Sequence, residues 1–367
     1  MGTTSKTVNL ALQGGGAHGA FTWGVLDRLL EDERISFEGI CATSAGAMNA
    51  TVLAYGLTTG GREGAKLTLA EYWRSISEAA AWGPLQPSLF DRLMQTRPEQ
   101  SPAFMFLDMI TRLLSPYQFN PTNYNPLRDV LEKTIDFERL RRDNVVKLFL
   151  CATNVRTGKV KIFENHEVTA SAVLASGCLP ILFQAIEIDG EAYWDGGYMG
   201  NPAIFPLIYG CQSTDVIVIH INPIVREEIP RTASDIWNRL NEISFNSSLM
   251  REMRAIAFAN KLVSRGALHG EIKTMLIHAI EAEAFMKDLR RRFQVRCQLG
   301  ISHPSARCGI CPRRQVAGRE FSSSRYALDR RHSRQVPVSA VGLLPQSSAA
   351  TSLADWRRCE ILWRFRN

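Results

Sequence analysis

Residues 36–46 read Ser-Phe-Glu-Gly-Ile-Cys-Ala-Thr-Ser-Ala-Gly. An apolar run from Ser36 to Thr43 has the character of a strand and ends on a serine flanked by small residues. Small residues continue from Ser44 to Tyr55, which reads as a helix with Gly56 placed to end it. A serine between a strand and a helix, with small neighbours, is the pattern of a nucleophile elbow. The tight turn lifts the serine oxygen out of the sheet, and the positive end of the following helix points at it. The spacing G-x-S-x-G is met at Ser44 and Gly46, with Ala42 standing in for the first glycine.

Upstream, Thr7 to Gln13 reads as a short buried strand, followed by Gly14-Gly15-Gly16-Ala17-His18-Gly19. A helical stretch runs on to about Leu30, with Phe21, Val25 and Leu29 at helical spacing. A glycine turn at a helix N-terminus leaves backbone N–H groups free, and these attract a pyrophosphate or a transient oxyanion. Gly14, Gly16 and Gly19 also satisfy the dinucleotide fingerprint, so a nucleotide-dependent oxidoreductase is a rival reading. That fold requires an acid near the end of the second strand to hold the ribose. Here the nearby acid, Glu38, stands near the strand's start, and the strand ends on the serine elbow.

Downstream, Lys147 to Thr153 reads as a buried strand with Lys159 to Phe163 as its neighbour. Ile186 to Ile188 and Ala192 to Trp194 flank Asp189-Gly190, a two-residue hairpin signal. Asp195-Gly196-Gly197 follows directly; alone, such a triplet is an ordinary turn. Asp215 to Ile221 is a further apolar strand, and two or three helices are expected from there to about Leu289. Strands alternating with helices argue for an α/β fold with a mainly parallel sheet.

The ordered trio of glycine loop, serine elbow and Asp-Gly-Gly resembles the patatin-like phospholipase family over roughly residues 7–289. His18 falls where that family often carries a basic residue. The resemblance implies a three-layer α/β/α fold with a mainly parallel central sheet, and a Ser–Asp dyad without histidine. It implies hydrolysis of fatty-acyl esters in phospholipids or neutral lipids, without cofactor or metal. Carried over, Ser44 is the nucleophile, Asp195 the base, and the amides of Gly15, Gly16 and Ala17 form the oxyanion hole. Gly14, His18, Gly19, Gly46, Gly196 and Gly197 support the motifs.

The residues agree with that chemistry. Acyl transfer needs a nucleophile, a base and donors for the developing oxyanion. A free aspartate, with a pKa near ~3.9, is a weak base at neutral pH, so the environment has to compensate. The pH profile should show a carboxylate-like pKa unless burial raises it. A Ser-His-Asp triad is the nearest competitor, but His220 and His278 lie in apolar runs and read as core histidines. A non-catalytic acyl-binding or scaffold protein on the same fold is the other alternative, raised by Ala42.

The charge is uneven. The net +7 hides sixteen arginines, no lysine and four acids from Arg290 onward, which is +12, against −5 for the rest. Nothing in residues 1–289 therefore points to nucleic acid. The Arg-rich, unpatterned segment 290–367 reads as an atypical tail, unstructured or translated out of frame. Cys297, His303, Cys308 and Cys311 match no usual zinc spacing. Residues 79–126, apolar and proline-punctuated, read as an insertion able to serve as a lid or membrane-facing element. The short polar start and the lengths of the apolar runs lead to the expectation of no secretory, myristoylation or membrane-spanning signal. The expectation is a cytoplasmic protein, at most peripheral to membranes, with its eight cysteines reduced.

Overall fold

A computed structural model describes residues 5–81, 110, 113–265 and 273–282. Most of the expected insertion and all of the Arg-rich tail lie outside these residues. The chain begins with β1 (Lys6–Leu12), α1 (Gly19–Leu30), β2 (Ile35–Thr43) and α2 (Ala45–Ala81). Three shorter helices follow: α3 (Pro116–Phe119), α4 (Pro126–Thr134) and α5 (Phe137–Asp143). Next come β3 (Lys147–Asn154), β4 (Val160–Glu164), α6 (Ala170–Ser176), β5 (Ile186–Ile188) and β6 (Glu191–Asp195). The last described elements are α7 (Phe205–Gly210), β7 (Asp215–His220), α8 (Ala233–Ser264) and β8 (Leu276–Glu281).

The eight strands form one sheet in the order β5-β6-β3-β2-β1-β7-β8, with β4 also on β3. β3, β2, β1, β7 and β8 are parallel, and β4 and β6 run antiparallel to β3. Alternation along the strands builds two cores. Leu10 and Leu12, Ile40 and Ala42, and Leu148 and Leu150 pack under α1, α2, α4 and α6. Their neighbours Ala11, Cys41 and Phe149 face the other way, under α7 and α8. This is the expected three-layer α/β/α sandwich with a mainly parallel sheet. In such sheets, side chains on successive residues serve opposite layers, so both faces must be apolar. β1 is flanked by β2 on one side and β7 on the other, which makes its C-terminal end the switch point where sites form.

The Asp189-Gly190 hairpin is present, with φ of 52° and 78° at its two turn residues, as a type I′ turn requires. Two expectations need correction. α2 does not end at Gly56; it runs to Ala81 and breaks at Gly60 and Gly61, where φ reaches +62°. Gly56 instead lies where the halves of α2 fold together, and a Cβ there would meet Ala65 and, at 2.9 Å, the Gly64 carbonyl. Among the described residues, the segment after β7 holds one long helix and then a strand, β8, where helices alone were expected. Leu276 to Glu281 is strand because it completes the parallel edge beside β7.

We expect Gly56→Val to lower the melting temperature by roughly 5 °C. Overpacking costs about 1–3 kcal/mol, and each kcal/mol moves a domain of this size by about 2–4 °C. Gly60→Ala, where a Cβ meets nothing within 4 Å, should change it far less. Thermal unfolding of the two variants checks this, and equal losses would contradict the packing role of Gly56.

Candidate active site

Ser44 follows β2 directly and has φ 55°, in the left-handed region that a side chain seldom occupies. Its strain is held from both sides. The Ser44 amide donates to Ser176 Oγ at 2.9 Å, and that hydroxyl donates to the Cys151 carbonyl at 2.6 Å. The turn fits only because its neighbours are small. A Cβ on Gly14 would lie 2.6 Å from Ser44 Cβ, and one on Gly46 would meet the carbonyls of Leu12 and Gln13. Ala42 is fully buried between Leu12 and Leu150 in register, and its methyl joins the core. Alanine is therefore accommodated at the first elbow position.

Asp195 comes level with the elbow through strand register. Thr43 pairs with Cys151 on β3, and the next β3 residue, Ala152, pairs with Asp195 on β6. The Asp195 amide donates to the Cys178 carbonyl at 2.8 Å, and its carbonyl accepts from Thr153 Oγ1 at 2.8 Å. Gly196 lies against the Cys151 carbonyl, where a Cβ has no room, and Gly197 lies against Phe245. The carboxylate is fully buried. Oδ1 accepts from the Gly197 amide at 2.7 Å, whereas Oδ2 has no hydrogen bond of full geometry. Desolvation pushes the Asp195 pKa up to about 7, against the opposing pulls of the Gly197 amide and the Ser44 hydroxyl. Ser44 is thus near enough to the carboxylate to act on its pKa. Burial has moved the acid into the histidine range, so a pH profile by itself does not separate dyad from triad.

The glycine loop crosses beside the serine. Gly14 is buried, Gly15 half-buried, and Gly16, Ala17 and His18 are exposed. Gly16 has φ +56°, and Gly16–His18 forms a 3₁₀ turn that leads into α1. The His18 amide donates to the Gly15 carbonyl at 3.2 Å. Among the described residues, the amides of Gly15, Gly16 and Ala17 find no protein acceptor, as the opening of a helical turn dictates. A Cβ on Gly19 would lie 2.9 Å from Ala45 Cβ, so the N-termini of α1 and α2 start side by side. Asn49 Nδ2 joins them by donating to the carbonyls of Gly19 and Ala45 at 3.1 and 3.0 Å.

Each of the two candidate histidines is paired with another side chain. His220 Nε2 lies 3.2 Å from Asn246 Oδ1, and His278 Nε2 lies 2.8 Å from Asp215 Oδ1 at the start of β7. Cys41 and Cys151 are buried, and burial pushes the Cys151 thiol up to about 12, which makes it inert. Among the described residues no group of three His, Cys, Asp or Glu could hold a metal ion, and no helix is long and apolar enough to cross a membrane. The Cys297–Cys311 cluster lies outside the described residues. Sequence reading missed Gln13, Ser176, Asn201, Asn222 and Asn246, all bonded to the elbow or loop or to one another. For Gln13, Asn201 and Asn222 the one local signal is an amide side chain at the end of a strand or beside a proline, as in Asn201-Pro202 and Asn222-Pro223; Ser176 and Asn246, inside helices, carry none.

A strained serine at the switch point of a doubly covered parallel sheet is the arrangement of a three-layer α/β protein with an elbow site. The chain belongs to the patatin-like phospholipase family, whose sequence profile matches residues 10–208. Family membership sets aside the dinucleotide reading of the glycine loop. Among solved structures, the chain is similar to VipD from Legionella pneumophila, at 18% identity and a TM-score of 0.36. That likeness covers 75% of this chain and 61% of VipD. The ExoU–SpcU complex from the type III secretion system of Pseudomonas aeruginosa is similar at 14% identity and a TM-score of 0.28, covering 69% of this chain and 52% of that one. The chain thus spans less than two thirds of the length of these structures. No curated protein gives a significant match.

Burial of Asp195 has a cost that depends on pH. Its folded pKa of about 7 exceeds the ordinary 3.8, so between those values the folded state holds the extra proton. Stability therefore falls as pH rises through this window, by on the order of 4 kcal/mol at most. Asp195→Asn removes the charge while keeping an acceptor for Gly197. We expect it to raise the melting temperature by several degrees at pH 8 and leave it nearly unchanged at pH 4. The same shift at both pH values would show that the buried charge is not the cause.

Proposed function

We propose that this chain is a serine acyl hydrolase that cleaves fatty-acyl esters of phospholipids or neutral lipids. Ser44 is the nucleophile, Asp195 the general base, and the amides of Gly15, Gly16 and Ala17 are the oxyanion donors. Membership of the family supports lipid acyl hydrolysis in general. The observation that carries the specific reading is a strained serine next to a fully buried carboxylate poised near neutrality, with one oxygen uncommitted.

In this mechanism Ser44 Oγ bonds to the acyl carbonyl carbon as Asp195 Oδ2 takes its proton. The carbonyl oxygen gains charge and is met by the loop amides and by the N-terminal ends of α1 and α2. The bond to the leaving alcohol then breaks, and Asp195 returns the proton to that oxygen, leaving an acyl ester on Ser44. Water, deprotonated by Asp195, then adds to the acyl carbon; the bond to Ser44 Oγ breaks, Asp195 returns the proton to that oxygen, and the fatty acid leaves. A base with a pKa near 7 is half-ionised at neutral pH yet basic enough to accept the hydroxyl proton. The enzyme meets its lipid at a membrane or aggregate surface, as a peripheral rather than a spanning protein.

Ser44→Ala should abolish turnover of a p-nitrophenyl ester and all fluorophosphonate labelling while the fold persists. Asp195→Asn should cost roughly 10³-fold or more in kcat, since nucleophile and base act as a unit. Gly16→Val should lower kcat far more than it changes KM, because the donors act on transition-state charge. Wild-type kcat/KM should rise with pH to a plateau through about 7, as Asp195 loses its proton. His220→Ala and His278→Ala should affect stability more than turnover. Activity in Asp195→Asn together with a dead histidine variant would replace the dyad by a triad, and an unlabelled wild-type Ser44 would favour a non-catalytic acyl-binding protein.

A further inference from the structure

We infer that Asn222, seated by Gln13 and Asn246, is a positioning residue that fixes the direction in which the glycine loop presents its amides to the substrate. The inference rests on the hydrolase reading above.

A run of three glycines has no side chains with which to hold its own peptide planes, and glycine surrenders the most backbone freedom on ordering. The restraint has to come from outside the loop, and two asparagines supply it. Asn201 Oδ1 accepts from the Gly14 amide at 2.7 Å, which pins the peptide plane between Gln13 and Gly14. Asn222 Nδ2 donates to the Gly14 carbonyl at 2.7 Å, which pins the plane between Gly14 and Gly15. A trans peptide is planar, and its C=O and N–H point in opposite directions. Drawing the Gly14 carbonyl towards Asn222 therefore turns the Gly15 N–H the other way. That N–H is one of the three donors assigned to the oxyanion.

Asn222 is itself braced. Its backbone amide and that of Ile221 both donate to Gln13 Oε1, at 2.8 and 2.7 Å. Gln13 Nε2 donates to Asn246 Oδ1 at 2.9 Å, and Asn246 Nδ2 reaches the Pro223 carbonyl at 3.2 Å. Gln13 and Asn246 are buried, so the brace is shielded from water. It joins the end of β1 to the end of β7 and to α8, which lie 208 and 233 positions further along the chain. Asn222 and Asn246 also lie beyond the 10–208 span that the family profile matches.

The test uses the full chain with Asn222→Ala and the isosteric Asn222→Asp, which keeps the shape but puts an acceptor where the Gly14 carbonyl needs a donor. End-point fluorophosphonate labelling counts competent serines, so kcat is expressed per labelled Ser44. Both variants should lose roughly 10- to 100-fold in kcat, less than the roughly 10²–10³-fold cost of deleting one oxyanion donor because the amide is turned rather than removed, with KM within about threefold. Inhibition by an alkyl trifluoromethyl ketone, whose adduct carries an oxyanion, should weaken by the same factor. A purely structural residue would instead lower the melting temperature and the labelled fraction, with kcat per labelled serine intact, and that result overturns the inference. If Asn222→Ala does not fold, an unchanged kcat in Asn222→Asp overturns it equally. Wild-type protein that never labels at Ser44 removes the hydrolase reading and this inference with it, whereas normal labelling with unaltered variants removes the inference alone.

Discussion

Gly14 and Ser44 touch where the ends of β1 and β2 meet, with 2.6 Å between Ser44 Cβ and the place a Gly14 side chain would begin. That approach is possible because the two strands are parallel and in register, Leu12 opposite Ala42, so both end in one plane. β7 ends there too, with Ile219 opposite Leu12. Parallel strands put all their C-terminal ends on one side, where backbone amides leaving one strand can serve a side chain leaving the next. Both helices that start from this edge do so within contact of each other, through Gly19 and Ala45. The positive ends of two helices and a set of unbonded amides are thereby gathered on one serine. A side chain at Gly14 would separate the strand ends and dismantle all of it at once.

Asp195 shows how the site departs from the rest of the protein. Two other partly buried carboxylates are well supplied with donors. Glu38 accepts from the amides of Gln212 and Ser213 and from Lys147, and its pKa falls below the usual range despite partial burial. Asp32 has the Arg34 guanidinium and falls likewise. Asp195 is fully buried, and among the described residues no cation offsets it; its oxygens have the Gly197 amide and the Ser44 hydroxyl. Burial without compensation makes a carboxylate a stronger base, and it makes the fold less stable when that carboxylate is charged. The same desolvation is responsible for both, so stability and basicity cannot be improved together at this position.

What could be read from the sequence was local. Apolar runs mark β1, β2, β3 and β7, small residues mark the elbow, and Asp189-Gly190 marks the hairpin, because each signal lies within a few residues of the structure it specifies. Gly56 was readable as a special position but not as to its kind. Whether a glycine ends a helix or lets two helical segments touch depends on Ala65 and on the fold, not on its neighbours. β8 was missed because Leu276 to Glu281 becomes a strand by pairing with β7. The value of the Asp195 pKa was hidden for the same reason: burial is a property of the packed molecule. The brace of Gln13, Asn222 and Asn246 was hidden most deeply, because no member identifies another until the sheet brings them together.

The chemistry of that brace is itself informative. Amide side chains donate and accept at the same time, so one Gln13 takes two backbone N–H groups while giving a hydrogen bond to Asn246. Lysine or arginine could hold the Gly14 carbonyl as firmly, but each would bring a positive charge beside a base whose usefulness rests on an elevated pKa. An aspartate or glutamate could take the two amides, but it would add a negative charge near the oxyanion that the loop is proposed to hold. Either ion would also need its own compensation in a buried setting. Neutral amides meet the geometric requirement without altering the field at Ser44 and Asp195. The loop can then be held rigidly while the electrostatics of the site are set by one buried carboxylate and the dipoles directed at it.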